Sequence, residues 1–161
     1  MALLDVLMFP NKSLRIKARK IPAISDDERR ILSDMAETMY FNKGVGLAAT
    51  QIGVNKELIV IDIGDGLMKI VNPDIVYASG YDTQEEGCLS VPDIIVKVRR
   101  AKEIRFRFLN ENGESIEKDA SGLLARAIQH EIDHLRGKVI VDYLHLLKRL
   151  LLKSLRSVKT A

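Results

Sequence analysis

The sequence predicts an α+β protein in which antiparallel-rich mixed sheets pack around a central helix, with an N-terminal helix and a C-terminal helix at the ends. Three observations carry that reading. Runs rich in branched residues, beginning with ELIVIDI at 57–63, follow one another between Gly and Pro breaks as far as residue 109. Asn112-Gly113 is a tight-turn signal that folds the next segment back as a hairpin arm. Three segments with apolar residues at helical spacing lie near 25–42, 121–136 and 143–158.

Residues 1–24 mix apolar and basic groups around Pro10 and Pro22 and read as an irregular arm with one short helical turn at most. Ser25-Asp26-Asp27-Glu28 is a capping box, and Ile31, Leu32, Met35, Ala36 and Met39 carry the helix to about Asn42. The small, apolar stretch 44–51 has two glycines that let backbone approach another group, so it is expected as a loop against a site. Strands follow at 57–63, 68–71, 75–78, 94–98 and 103–109. In the last, Ile104, Phe106 and Phe108 alternate with Arg105 and Arg107, one face buried and one wet. The hairpin arm is expected at 114–118. Ser121 opens the central helix and Gly137 ends it. A short strand at 139–141 and a final amphipathic helix from Tyr143 complete the chain.

At 161 residues the chain is expected to form one domain over 1–161, with 143–161 as a basic amphipathic tail helix. Cys88 is the single cysteine, so no intrachain disulfide framework exists and a reducing, cytoplasmic setting is the natural reading. No signal peptide and no membrane span is visible. The net charge of +3 is uneven: Lys148, Arg149, Lys153, Arg156 and Lys159 stand in the tail without an acid, leaving 20 basic and 22 acidic residues elsewhere.

Gln129-His130-Glu131-Ile132-Asp133-His134 contains H-E-x-x-H. At about 3.6 residues per turn, His130 and His134 point the same way and can grip one divalent metal ion, while Glu131 leans toward a water on it. By itself the pattern also suits a decorated surface helix. Ile128, Ile132 and Leu135 instead imply a helix packed inside the fold, where Glu131 and Asp133 need a partner or a purpose. A lone Cys is more often a small buried hydrophobe than a ligand, yet Cys88 stands between Gly87 and a Leu-Ser-Val-Pro turn, next to Glu85 and Glu86, and is the candidate third ligand. A Cys/His/His set leaves a tetrahedral position open, as a catalytic metal requires.

Gly44-Val45-Gly46-Leu47-Ala48-Ala49-Thr50-Gln51, Glu86-Gly87-Cys88-Leu89-Ser90 and Gln129-His130-Glu131-Ile132-Asp133-His134-Leu135 resemble, in order and spacing, the three signature motifs of bacterial-type peptide deformylases. The likeness extends from Pro10 through Glu37-Thr38-Met39-Tyr40 to Asp142-Tyr143-Leu144. It implies a cytoplasmic, monomeric enzyme that removes the formyl group from the N-terminal formyl-methionine of new polypeptides. Its metal ligands would be Cys88, His130 and His134, and its general acid/base Glu131. The Gln51 side chain and the Leu89 backbone N–H would meet the developing oxyanion. Val45, Gly46, Leu123 and Ala127 would line the methionine pocket, a plain core position standing beside that role for Leu123. Arg100 and Asp133 would pair behind the metal helix, against the alternative of a surface Arg and a solvated Asp. Three positions depart from the pattern: Gln84 and Arg126 stand where relatives often have aliphatic residues, and Ile95 where many have an arginine.

A thiolate ligand favours a soft or borderline metal over Mg²⁺ or Ca²⁺. The resemblance implies one Fe²⁺ per chain as the working ion, with Zn²⁺ or another divalent ion able to occupy the site. In the tail, Leu144, Leu147, Leu151, Leu155 and Val158 form a stripe beside the basic residues. That suits a helix docked on the sheet, contact with ribosomal RNA, or a membrane surface. Two other functions share parts of the pattern. A zincin-like metallopeptidase would take its third ligand after the motif, where only His145 stands. A non-enzymatic ribosome-associated module would hold a structural metal and would not need Glu131.

Overall fold

The computed structural model describes residues 2–159, with side chains through residue 156. Helix α1 (Asp26–Phe41) begins at the expected capping box: Ser25 Oγ accepts from the Asp27 N–H (3.2 Å), and the Ser25 N–H donates to Glu28 Oε2 (2.8 Å). Strands β1 (Gly46–Ala48), β2 (Leu58–Ile61), β3 (Met68–Cys88), β4 (Val91–Leu109) and β5 (Ser115–Ser121) form one sheet in that order, each antiparallel to the next. A parallel pairing occurs as an isolated bridge between Arg19 and Lys56. Helix α2 (Gly122–Leu135) follows β5 directly, and α3 (Leu146–Lys159) ends the described chain.

Several expected pieces are merged. The strands expected at 68–71 and 75–78 belong to β3, and those at 94–98 and 103–109 to β4. Pro73, which has no N–H for the ladder, is absorbed by a register shift between Val71 and Asp74. The stretch 44–51 is only partly a loop: it holds β1 and enters a 3-10 turn, Ala49–Ile52. The strand expected at 139–141 is absent. Its apolar residues are satisfied by burial beside Phe9, Leu14, Val91, Val96 and Val98, and Ile140–Tyr143 forms a 3-10 turn in which Asp142 Oδ2 accepts from the Val139 N–H (3.0 Å).

Strand β2 is apolar throughout because both of its faces are covered. Leu58 and Val60 pack with Leu32, Met35 and Met39 of α1, whereas Ile59 and Ile61 pack with Ala127, Ile128 and Ile132 of α2. The sheet thus lies between the two helices, with α2 pressed on its inner face by Ile104, Phe106 and Phe108. Arg105 and Arg107 face outward and pair with Asp119 and Glu117 of β5.

In α3 the docked side is not the expected stripe. Leu147, Leu151 and Leu155 are 57–70 % exposed, while Leu152 packs against the body. The rotation is fixed by polar ties: Arg156 Nη2 donates to Pro92 O (2.6 Å), and Arg149 lies 3.6 Å from Asp142. Side chains of Val158 and Lys159, the last of the expected stripe and basic set, lie outside the described residues. No helix of the described residues is long and apolar enough to cross a membrane.

Hydrogen bonds from Lys56 and Ser25 hold the Glu28 carboxyl down at about 2. A carboxylate depressed in the folded state stabilises fully above its unfolded pKa, and that contribution disappears as pH falls through the folded value. Glu28→Gln should therefore cost on the order of 1–2 kcal/mol at pH 7, and the gap from the unsubstituted chain should close between pH 4.5 and 2 in urea unfolding.

Candidate active site and metal centre

The two glycines, the end of the β3–β4 hairpin and one face of α2 meet around a cavity of about 390 Å³. Strand alternation puts Glu86 and Cys88 on the same face of β3, toward α2. Helical spacing puts Leu123, Arg126, Ala127, His130, Glu131 and His134 on the facing side of α2. Of these, all but His134 line the cavity, together with Val45, Gly46, Gln51, Cys88 and Leu89.

The ligating atoms of Cys88, His130 and His134 all lie within 4.8 Å of one another. Cys88 Sγ and His134 Nε2 are 3.2 Å apart, and so are the two Nε2 atoms. Metal bonds of about 2.0–2.3 Å at tetrahedral angles place ligand atoms roughly 3.3–3.6 Å apart, so the trio fits one divalent ion. His130 Nδ1 lies 2.9 Å from Glu86 Oε2. A carboxylate only accepts, so Nδ1 carries the proton and Nε2 offers its lone pair toward the other two ligands.

Glu86 is buried and receives further bonds. Arg100 donates from Nε to Oε1 (2.7 Å) and from Nη2 to Oε2 (2.9 Å), and Arg126 Nη1 donates to Oε1 (2.8 Å). Burial alone would raise this carboxyl, but His130 and Arg100 outweigh it and bring it to about 2. Arg100 Nη1 also donates to Asp133 Oδ2 (2.8 Å), and the Tyr143 hydroxyl donates to the same oxygen (2.6 Å). Burial and that bond to Asp133 push the phenol up to about 12.

Glu131 is buried, and its Oε2 has no hydrogen-bond partner among the described residues. Burial pushes its carboxyl up to about 7, against the pull of His130 and Arg100. Gly46 covers it: a Cβ there would lie 3.0 Å from Glu131 Cδ, tighter than side chains tolerate. Gln51 is buried as well. Its Oε1 accepts from the Ala48 N–H (2.9 Å), which aims Nε2 at Ser90 Oγ (3.1 Å) and at Cys88 Sγ (3.7 Å).

Of the residues proposed from the sequence, Val45, Gly46, Gln51, Cys88, Leu89, Leu123, Ala127, His130 and Glu131 line the cavity, His134 lies against Cys88 and His130, and Arg100 and Asp133 stand behind Glu86. Leu123 is 55 % exposed at the cavity, so the core alternative does not describe it. Arg100 is 5 % exposed, which excludes the surface alternative. Among the departures, Arg126 lines the cavity, Gln84 lies on an adjoining surface groove, and Ile95 is 62 % exposed beside Gly87. Sequence reasoning missed the role of Glu86, the grip of Arg126 on it, and Tyr143 behind Asp133. The four-residue step from Arg126 to His130 was a signal for the second of these.

A carboxylate that orients a ligating histidine typically contributes 10–100-fold to metal affinity. Glu86→Gln should accordingly speed metal loss to a chelator by about that factor, read as metal retained per chain after timed exposure.

Comparison with known proteins agrees with this geometry. The family model described as polypeptide deformylase matches residues 3–150. Peptide deformylase 1 of Ralstonia nicotianae is 50% identical over 153 residues, 92% of this chain and 90% of that protein. The peptide deformylase of Alkalilimnicola ehrlichii is 47% identical over 153 residues, covering 92% and 86%. Among solved structures, peptide deformylase from Ehrlichia chaffeensis in complex with actinonin aligns at a TM-score of 0.95 with 36% identity, covering 99% of this chain and 98% of that one. The Legionella pneumophila enzyme aligns at 0.91 with 40% identity over the same shares. With ligand set, sheet and helices in agreement over nearly the whole length, the chain belongs to the peptide deformylase family.

Proposed function

We propose how the residues of this site divide the work of a deformylase, with the Cys88/His130/His134 cluster beside buried Glu131 as the observation that carries the assignment. The chain is a hydrolase that removes formyl groups from formyl-methionyl nascent peptides and uses a divalent metal. Cys88, His130 and His134 would hold that metal, which when bound acidifies a water and polarises the formyl oxygen. Glu131 takes the proton of the attacking water and returns it to the departing nitrogen. The water oxygen bonds to the formyl carbon, the C–N bond breaks, and formate and a free α-amine result.

As charge grows on the formyl oxygen, Gln51 Nε2 and the Leu89 N–H donate to it. Gln51 is fixed in advance by its bond from Ala48, so it does not have to reorganise during the reaction. Val45, Leu123 and Ala127 form apolar walls for the unbranched methionine side chain, and Gly46 allows the peptide backbone close to Glu131. Arg100 and Asp133 hold Glu86 and α2 in register. Fe²⁺ is the ion we assign to the working enzyme, with Zn²⁺ able to take its place. The thiolate of Cys88 supports either over Mg²⁺ or Ca²⁺.

We take residues 1–161 as a single domain, a monomer in the cytoplasm. The lone cysteine supports the compartment. We assign the basic tail at 143–161, which holds α3, to the ribosome, on the strength of its five basic residues and the exposed side of α3.

Two measurements test these assignments. Glu131→Gln should lower formate release from formyl-Met-Ala-Ser by at least about 100-fold with metal content unchanged, and retained activity would remove Glu131 from its role. Deleting residues 144–161 should reduce co-sedimentation with ribosomes while small-peptide turnover persists, and unchanged sedimentation would end the ribosome assignment.

A further inference from the structure

The cavity is apolar on the side of Val45, Leu89, Leu123 and Ala127, but Arg126 and Glu86 form another side. Arg126 Nη1 donates to Glu86 Oε1 (2.8 Å) and Val98 O (2.9 Å), and Nη2 donates to Asp82 Oδ1 (2.5 Å). A guanidinium has five N–H groups. The Nε–H and the second Nη2–H of Arg126 have no acceptor among the described residues.

The charge of this cluster is already overmatched. Arg100 and Arg126 face three carboxylates, Glu86, Asp82 and Asp133, while Lys43 and Glu85 both line the cavity. Both guanidiniums are thus already neutralised, so an anionic side chain finds no unpaired cation in this cluster, whereas a neutral group with a strong acceptor oxygen can take the N–H groups of Arg126 that no carboxylate uses.

The substrates of this site begin with formyl-methionine, so another side chain reaches the pocket when that methionine has been chemically altered. Oxidation to the sulfoxide keeps the unbranched stem and adds a neutral, strongly polar oxygen on sulfur. We propose that the pocket also accepts N-terminal formyl-methionine sulfoxide, with Arg126 as the specificity-determining residue that donates to the sulfoxide oxygen. This rests on the assignment of the cavity as the methionine pocket. The reaction is the same hydrolysis, and the sulfoxide leaves unchanged on the deformylated peptide.

The test compares kcat/KM for formate release from formyl-Met-Ala-Ser, its sulfoxide form and a formyl-norleucine counterpart. The unsubstituted enzyme should process the sulfoxide within about tenfold of the thioether, the scale of one hydrogen bond offsetting the desolvation of the oxygen. Arg126→Met should lower the sulfoxide-to-thioether ratio by about tenfold or more, chiefly through KM, and leave the norleucine-to-thioether ratio unmoved. Arg126→Lys, which retains a cationic donor, should restore part of the ratio and serves in its place if Arg126→Met does not fold. Rejection of the sulfoxide by more than a hundredfold, or a ratio indifferent to Arg126, overturns the proposal. Absence of formate from the thioether peptide as well would instead overturn the assignment of the site.

Discussion

The buried carboxylate of Glu86 accepts from His130, Arg100 and Arg126, and the arrangement of the site depends on that sharing. A charge removed from water costs several kcal/mol unless it is paired and its lone pairs are filled. Here both oxygens are occupied. Because Glu86 stands two residues before Cys88 on one face of β3 and bonds to His130 on α2, the same contact sets where the sulfur and the imidazoles meet. The second ring of charge, Asp82 behind Arg126 and Asp133 behind Arg100, keeps the guanidiniums from becoming the unpaired members.

What was legible in the sequence was local or periodic. The α1 cap is written in residues three apart, and the histidines of α2 in residues four apart. The alternation of Ile104, Phe106 and Phe108 with two arginines fixed the buried face of β4 because its period is that of a strand. The roles of Glu86 were not legible, since its partners lie 14, 40 and 44 positions away and only the folded hairpin brings them together. The rotation of α3 was hidden for a similar reason. Leucines occur on more than one side of that helix, and the choice is made by a bond from Arg156 to a carbonyl 64 positions earlier. At 139–141 three apolar residues read equally as a strand or as a buried turn, and the core beneath them decided for the turn.

The sheet explains why a short helix can hold a reactive site steady. Strand β2 is covered on both faces, so α1 and α2 are fastened to the same fully buried ribbon. Movement of α2 relative to β1 would separate Glu131 from Gly46, and the close packing of Ile128 and Ile132 against Ile59 and Ile61 opposes it. The polar elements, Gln51 and Glu131, sit where this apolar frame ends, one in contact with backbone and the other facing the cavity.

The distribution of the donors along the chain also orders events in its biogenesis. Gln51 and Cys88 are 37 positions apart, and Cys88 and His134 are 46 apart. Joining the latter pair in an unfolded chain costs roughly 3 kcal/mol of loop entropy or more, whereas the finished sheet has already met that cost. A polypeptide still emerging has the thiol long before it has either imidazole. On the assignment proposed for this site, the three donors for the ion are complete only once His134 has been made, after the whole of the sheet that aligns them.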